Sequence, residues 1–73
     1  MEISNDTLDS LFDYHAPTQD QVSSMNVIRN RAKDLARVIN VEVPNSADKS
    51  AAIRLLRQCV QISNAGIVLN GVV

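Results

Sequence analysis

The chain has 73 residues, a formal net charge of −1 and a hydrophobic content of 45% that is almost entirely aliphatic. A chain of this length forms one small domain with a limited core, so self-association is expected. An acidic balance with seven basic residues argues against a DNA or RNA polymer as partner, and no apolar run approaches the roughly 20 residues that cross a membrane. The acidic start at Glu2 and Asp6 does not fit the basic region of a secretory signal, which predicts a cytoplasmic protein.

Charge is divided unevenly along the chain. Residues 1–20 carry five carboxylates and no basic side chain, a net charge of −5, whereas residues 21–73 carry seven basic and three acidic side chains, a net charge of +4. Two interpretations stay open. Either the acidic arm neutralises the basic face of its own chain or of a neighbour, or part of the basic face binds an anion.

The first predicted element is a short helix of about two turns, because Leu8, Leu11 and Phe12 are spaced i, i+3, i+4. Its apolar edge is expected to dock on the main helices. Residues 1–7 lack periodicity and are predicted to be a frayed arm. The candidate caps of the short helix are Asn5, Asp6 and Thr7.

A bend follows, in a stretch that holds the only Phe, Tyr and His of the chain. Pro17 fixes its own φ and pushes Ala16 out of the α region, so Tyr14 and His15 are predicted to lie on a bend just before a helix. Tyr14 can stack on a flat ligand, or its ring can pack on the core with the hydroxyl in water. His15 lacks an evident nucleophile or orienting partner, so a structural bond to backbone is predicted for it.

A long helix is predicted to start at Thr18, which forms a capping box with Gln21. Apolar side chains then recur at steps of three and four residues until Pro44 ends the helix. Asn45 or Ser46 is predicted to cap a third helix from about Ala47 to Leu69, which Gly71 ends near Asn70. The connection is short, so the two long helices form an antiparallel hairpin.

The predicted architecture is therefore all-α: a short N-terminal helix followed by a long antiparallel helical hairpin, in a single domain over residues 1–73. The apolar positions of both long helices are too broad for one partner helix, which predicts a homo-oligomer. Cys59 is the only cysteine and is predicted to be a buried thiol. With one Cys and one His, no metal site is expected in a single chain, and no cofactor is predicted.

Candidate binding residues lie on the second helix. Arg29, Lys33 and Arg37 recur at i, i+4 and i+8, with Asn26 and Asn30 beside them. Such a row is often only the solvated side of a helix. Alternatively, an aromatic ring and a guanidinium hold a nucleotide together, the ring on the base and the cation on the phosphate. Catalysis has little support, and the protein is not expected to be an enzyme.

Two segments resemble the small phage anti-CBASS proteins that act as cyclic-nucleotide sponges. The first is Phe12-Asp13-Tyr14-His15-Ala16-Pro17-Thr18 followed by Asp20-Gln21-Val22, and the second is Ser63-Asn64-Ala65-Gly66-Ile67, which looks like the Ala-Asn-Ala-x-Ile close of that family. Their spacing also fits, so the resemblance covers the chain from Leu11 to about Asn70.

The resemblance implies a homohexamer of helical hairpins that sequesters cyclic dinucleotides, such as cyclic GMP-AMP, without hydrolysis in the cytoplasm of an infected bacterial host. Its pockets are shared between protomers. The base-stacking tyrosine and the phosphate-binding basic residue of that family fall here on Tyr14 and Arg29, with Asn26, Asn30 and Lys33 as further candidates. Some members bind cyclic trinucleotides through an Arg just after the second segment, where this chain has Val68, Leu69 and Asn70.

An alternative of a different class is a helical interaction module that binds and inhibits a host protein through the same apolar surface. A monomeric state would favour this alternative over a sponge.

Overall fold

The computed structural model describes residues 2–71, which form three α-helices and no strand. Helix α1 spans Asn5–Phe12, α2 spans Gln19–Glu42 and α3 spans Ala47–Leu69. The prediction of a short helix followed by a long hairpin is confirmed. Met1, Val72 and Val73 lie outside the described residues.

Helix α1 begins earlier than its apolar pattern suggests. Ser4 is the N-cap, because its side-chain oxygen accepts a hydrogen bond of 3.2 Å from the Thr7 amide. The three caps proposed from the sequence are therefore wrong, and residues 5–7 are helical rather than part of a frayed arm. Asp6 lies in the first turn, where a carboxylate favours the positive end of the helix dipole.

The start of α2 follows its sequence signature. The Thr18 hydroxyl accepts from the Gln21 amide at 3.2 Å, and the Gln21 side-chain oxygen accepts from the Thr18 amide at 2.9 Å. The side-chain nitrogen of Gln21 also donates to the carbonyl of Ile67 near the end of α3, at 3.1 Å. One side chain therefore caps α2 and ties its start to the end of α3.

The hydrogen bond between Gln21 and Ile67 leads to a prediction for a substitution at Gln21. In Gln21→Glu a carboxylate can still cap the Thr18 amide, but it removes the donor to Ile67 and sets a negative charge beside that carbonyl. We expect the free energy of unfolding to fall by about 0.5–1.5 kcal/mol, the net contribution of a typical intramolecular hydrogen bond. Gln19→Glu makes the same chemical change in the same turn without touching α3, and should have little effect.

The measurement is urea unfolding of both variants and the unaltered chain at one common chain concentration, because assembly shifts apparent stability. A Gln21→Glu protein as stable as the unaltered chain would show that the bond to Ile67 adds nothing to the fold.

The turn between the long helices is held by Ser46 and Lys49. Ser46, one of the two predicted caps, accepts a bond from the Lys49 amide at 3.1 Å. The Lys49 ammonium donates to the carbonyl of Asn40 at 2.7 Å and to the side chain of Asn45 at 3.0 Å. A cation thus satisfies a free carbonyl at the end of α2, which is the favoured charge there.

At the far end, α3 stops as predicted. Asn70 is the C-cap with φ of 50°, and Gly71 follows with φ of 81°. Both are in the left-handed region, which Asn tolerates and Gly adopts freely.

Helices α2 and α3 pack along each other, yet no side chain among residues 2–71 is fully buried. Each long helix covers only one stripe of its partner, so the other apolar side chains stay in solvent. Five of these are more than half exposed: Val27, Val38, Val41, Leu55 and Ile62. Cys59 is also exposed, because it lies on an outward-facing apolar surface, and the prediction of a buried thiol is wrong for the single chain.

Helix α1 has no extensive packing against either long helix. Leu11 is partly covered, but Phe12 is 86% exposed. The expectation that the whole apolar edge docks on the hairpin is therefore wrong for the single chain, since its largest side chain finds no cover there.

Candidate functional site

A groove runs between α2 and α3 on one side of the hairpin, with a volume of about 370 Å³. We call it the basic groove because three of its lining side chains are cationic. Its lining comprises Arg29, Ala32, Lys33, Ala36, Ile53, Leu56, Arg57, Val60, Gln61 and Asn64. It combines an apolar floor with charged and amide groups at the rim, which is the usual make-up of a binding site.

The sequence forms this groove through residue size and hairpin register. Ala32 and Ala36 leave a depression on α2 because their side chains end at Cβ. Positions equally distant from the turn at residues 43–46 face one another in an antiparallel hairpin, so Arg57 lies near Lys33, and Gln61 lies near Arg29. The cations of both helices therefore meet at one rim.

The electrostatics of the groove are one-sided. Within residues 2–71 the single salt bridge joins Arg37 to Asp34, at 3.3 Å. Arg29, Lys33 and Arg57 therefore have no carboxylate partner in that part of the chain. Such a cluster favours an anion or an acidic segment.

Arg29 is oriented by a neighbour on its own helix. One guanidinium nitrogen donates to the side-chain oxygen of Asn26 at 3.0 Å. A guanidinium has five N–H donors in a fixed fork, so one bond fixes its direction and leaves donors for a ligand.

Asn64 gives the groove a polar spot. Its side-chain oxygen is buried and accepts no hydrogen bond from the described residues. A buried acceptor without a partner costs free energy, so a donor from a ligand or from another chain would be favoured there.

The bend before α2 presents Tyr14. Its side chain is 87% exposed, so the alternative in which its ring packs on the core is wrong for the single chain. His15 Nε2 donates to the carbonyl of Ser10, which requires the proton on Nε2. His15 thus bonds to backbone as predicted, and it fixes the bend against the end of α1.

The predicted site residues divide into two groups. Arg29 and Lys33 line the basic groove, and Asn26 orients Arg29. Tyr14 and Asn30 do not line it, so the groove of one chain contains the cations without the aromatic ring.

Two lining residues were missed from the sequence. Neither Arg57 nor Gln61 was among the candidate binding residues named from the sequence. The signal that finds them is the turn itself, since counting outward from residues 43–46 places Arg57 near Lys33.

Within residues 2–71, no group of three or more His, Cys, Asp and Glu side chains is placed to hold a metal ion. No helix in that part of the chain is long and apolar enough to cross a membrane.

These features define a class of protein: a small helical hairpin with a short N-terminal helix, an exposed tyrosine on the bend and a basic groove between the long helices. A family model described as the Acb2/Tad1 hairpin domain matches residues 4–68. The chain belongs to this family, the anti-CBASS cyclic-nucleotide sponges. Comparisons with curated proteins and with solved structures found no match.

Proposed function

We propose that this chain binds and sequesters cyclic dinucleotide second messengers, such as cyclic GMP-AMP, and so prevents the activation of CBASS effectors. The observation that carries the proposal is the family match over residues 4–68. The exposed ring of Tyr14 and the unpaired cations of the basic groove support it. A bacterial messenger as ligand sets the proposed place of action in the cytoplasm of an infected host.

The proposed site pairs Tyr14 with Arg29. The ring stacks on a base, and the guanidinium binds the phosphodiester oxygens through its fork. Lys33, Asn26 and Asn30 are proposed to assist, the first by charge and the two amides by orientation and hydrogen bonding. Because a cyclic dinucleotide has two bases and two phosphates, two copies of this pair can close on one ligand.

The proposed active form is a homo-oligomer with pockets between protomers, and we propose that it is a hexamer. The support is the absence of any fully buried side chain among residues 2–71 and the apolar surface left by both long helices. Contiguous exposed apolar surface of this kind marks an interaction site.

We propose that the protein sequesters its ligand without chemistry. His15 is hydrogen-bonded to the backbone. The residues that line the basic groove include no nucleophile with a general base beside it. Cyclic trinucleotides are not proposed as ligands, because Leu69 and Asn70 stand where an Arg is expected.

Titration calorimetry with a cyclic dinucleotide tests this proposal. We expect saturable binding with about one ligand per two chains, the ratio for a two-fold pocket between like copies. A linear dinucleotide of the same bases is the matched control and should bind more weakly, since closing the ring preorganises it. If no cyclic dinucleotide gives a heat of binding, the proposal is wrong.

The exposed apolar surface favours a second candidate, a helical module that inhibits a host protein. Light scattering separates the two. A monomer across the micromolar range supports the module, because its apolar surface would then be free for a partner, and an assembled protein supports the sponge.

A further inference from the structure

Helix α1 carries unpaired carboxylates on a nearly unpacked element. Asp9 in the helix and Asp13, which caps its C-terminus, are exposed and make no salt bridge within residues 2–71. The neighbouring Phe12 is 86% exposed. An acidic helix with an exposed aromatic is therefore left without a partner by its own hairpin.

The basic groove offers the complementary surface. Its rim carries Lys33 and Arg57, which lack carboxylate partners in the described part of the chain, and its floor contains Ile53 and Leu56. No residue of α1 lines this groove in its own chain. The net charges of the two parts of the chain are also opposite: −5 for residues 1–20, which include α1, and +4 for residues 21–73, which include the basic groove.

The two surfaces also match in length. Helix α1 has eight residues, or about 12 Å at 1.5 Å per residue. The part of α2 that lines the groove runs from Arg29 to Ala36, a rise of about 10 Å.

From these observations we infer that α1 of one copy lies in the basic groove of a second copy. Its carboxylates face Lys33 and Arg57, and Phe12 covers the apolar floor. The contact buries the exposed aromatic and pairs charges that are unpaired in the single chain, so α1 acts as a clasp between copies. Such an exchange of the same element between like chains is a low-cost route to assembly.

The clasp also fixes the position of the bend. Because His15 bonds to the Ser10 carbonyl, the bend and the end of α1 move as one unit. With α1 in the groove, the bend and Tyr14 lie at one end of it, and the proposed ligand pocket requires this to be the Arg29 end. This consequence rests on the proposed function, whereas the docking of α1 does not.

Charge reversal tests the clasp in two separate chains. One chain carries Asp9→Lys and Asp13→Lys, which gives it a basic α1, and the other carries Lys33→Glu and Arg57→Glu, which gives it an acidic groove. All four positions are exposed, and lysine suits the C-terminal half of a helix, so both chains should fold. Circular dichroism checks this.

Each variant alone brings like charges together. In sedimentation without ligand, we therefore expect each variant to need at least a tenfold higher chain concentration to assemble. An equimolar mixture restores both pairings, since the basic α1 meets the acidic groove and the unaltered α1 meets the unaltered groove. The mixture should recover the mass of the unaltered protein. Asp34→Lys with Glu42→Lys makes the same change in net charge as Asp9→Lys with Asp13→Lys, and this control should assemble normally.

Three outcomes would overturn the clasp: a monomeric unaltered protein, unweakened assembly of either variant, or a mixture that stays dissociated. If the mixture stays dissociated but a single chain with all four substitutions assembles like the unaltered protein, α1 docks on its own hairpin. Failure of the clasp with normal ligand binding leaves the proposed function intact. Normal assembly without ligand binding removes only the proposed function.

Discussion

Tyr14→Ala is expected to weaken cyclic dinucleotide binding roughly 30-fold to 10⁴-fold. The range follows from about 1–3 kcal/mol for each base stacked on an aromatic ring, the two stacks per ligand of the proposed pocket, and a tenfold change for each 1.4 kcal/mol. The fold should be unaffected, because the side chain is 87% exposed.

Tyr14→Phe is the matched control for this prediction. It keeps the stacking face and removes only the hydroxyl, so affinity should stay within a few-fold of the unaltered protein. Calorimetry measures both variants, and sedimentation checks that they remain assembled. Normal binding by Tyr14→Ala would place the ligand elsewhere on the protein.

Arg29→Ala is expected to have the second large effect. A hydrogen bond to a charged group is worth about 1.5–3 kcal/mol, and the proposed pocket sets two copies of Arg29 against each ligand, so affinity should fall roughly 10² to 10⁴-fold. Arg29→Lys keeps the charge but not the forked set of donors, so its affinity should lie between that of the unaltered protein and that of Arg29→Ala. Because the proposed contact is ionic, added salt should weaken binding by the unaltered protein more than binding by Arg29→Ala.

Arg37→Ala is the control on the same helix. Arg37 belongs to the same row in the sequence, but it pairs with Asp34 at 3.3 Å and does not line the basic groove. An exposed pair of this kind contributes little to stability. If loss of Arg37 weakened binding as much as loss of Arg29, the row would act only through its general charge.

The helix boundaries were largely predictable from local chemistry. The capping box at Thr18 and Gln21, the stop at Pro44 and the range Ala47–Leu69 each follow from a few neighbouring residues, and the structure has them there. The cap of α1 was not predictable in the same way, because Ser4, Asn5, Asp6 and Thr7 are all residues that cap helices well.

The candidate site was only half predictable. Arg29 and Lys33 stood out because they share a helical row. Arg57 was overlooked because it approaches that row from another helix, and only the register of the hairpin brings it near. The exposure of Phe12 and Cys59 was missed for a different reason: an apolar pattern predicts that a face is covered, but not whether its own chain covers it.

The two proposals overlap in the basic groove. Arg29, assisted by Lys33, is proposed for the phosphate, and Lys33 and Arg57 are proposed for α1 of another copy. Arg29→Ala should therefore reduce ligand binding without loss of assembly, whereas Lys33→Glu with Arg57→Glu should reduce assembly before ligand is added.

Recovery of the ligand after capture tests sequestration most directly. A cyclic dinucleotide is mixed with excess protein, the free ligand is separated by filtration, and the retained fraction is heated to release what was bound. We predict that free ligand falls in proportion to added protein and that the released ligand is recovered in full with unchanged mass. Free ligand that does not fall, or a released product of altered mass, would contradict the account.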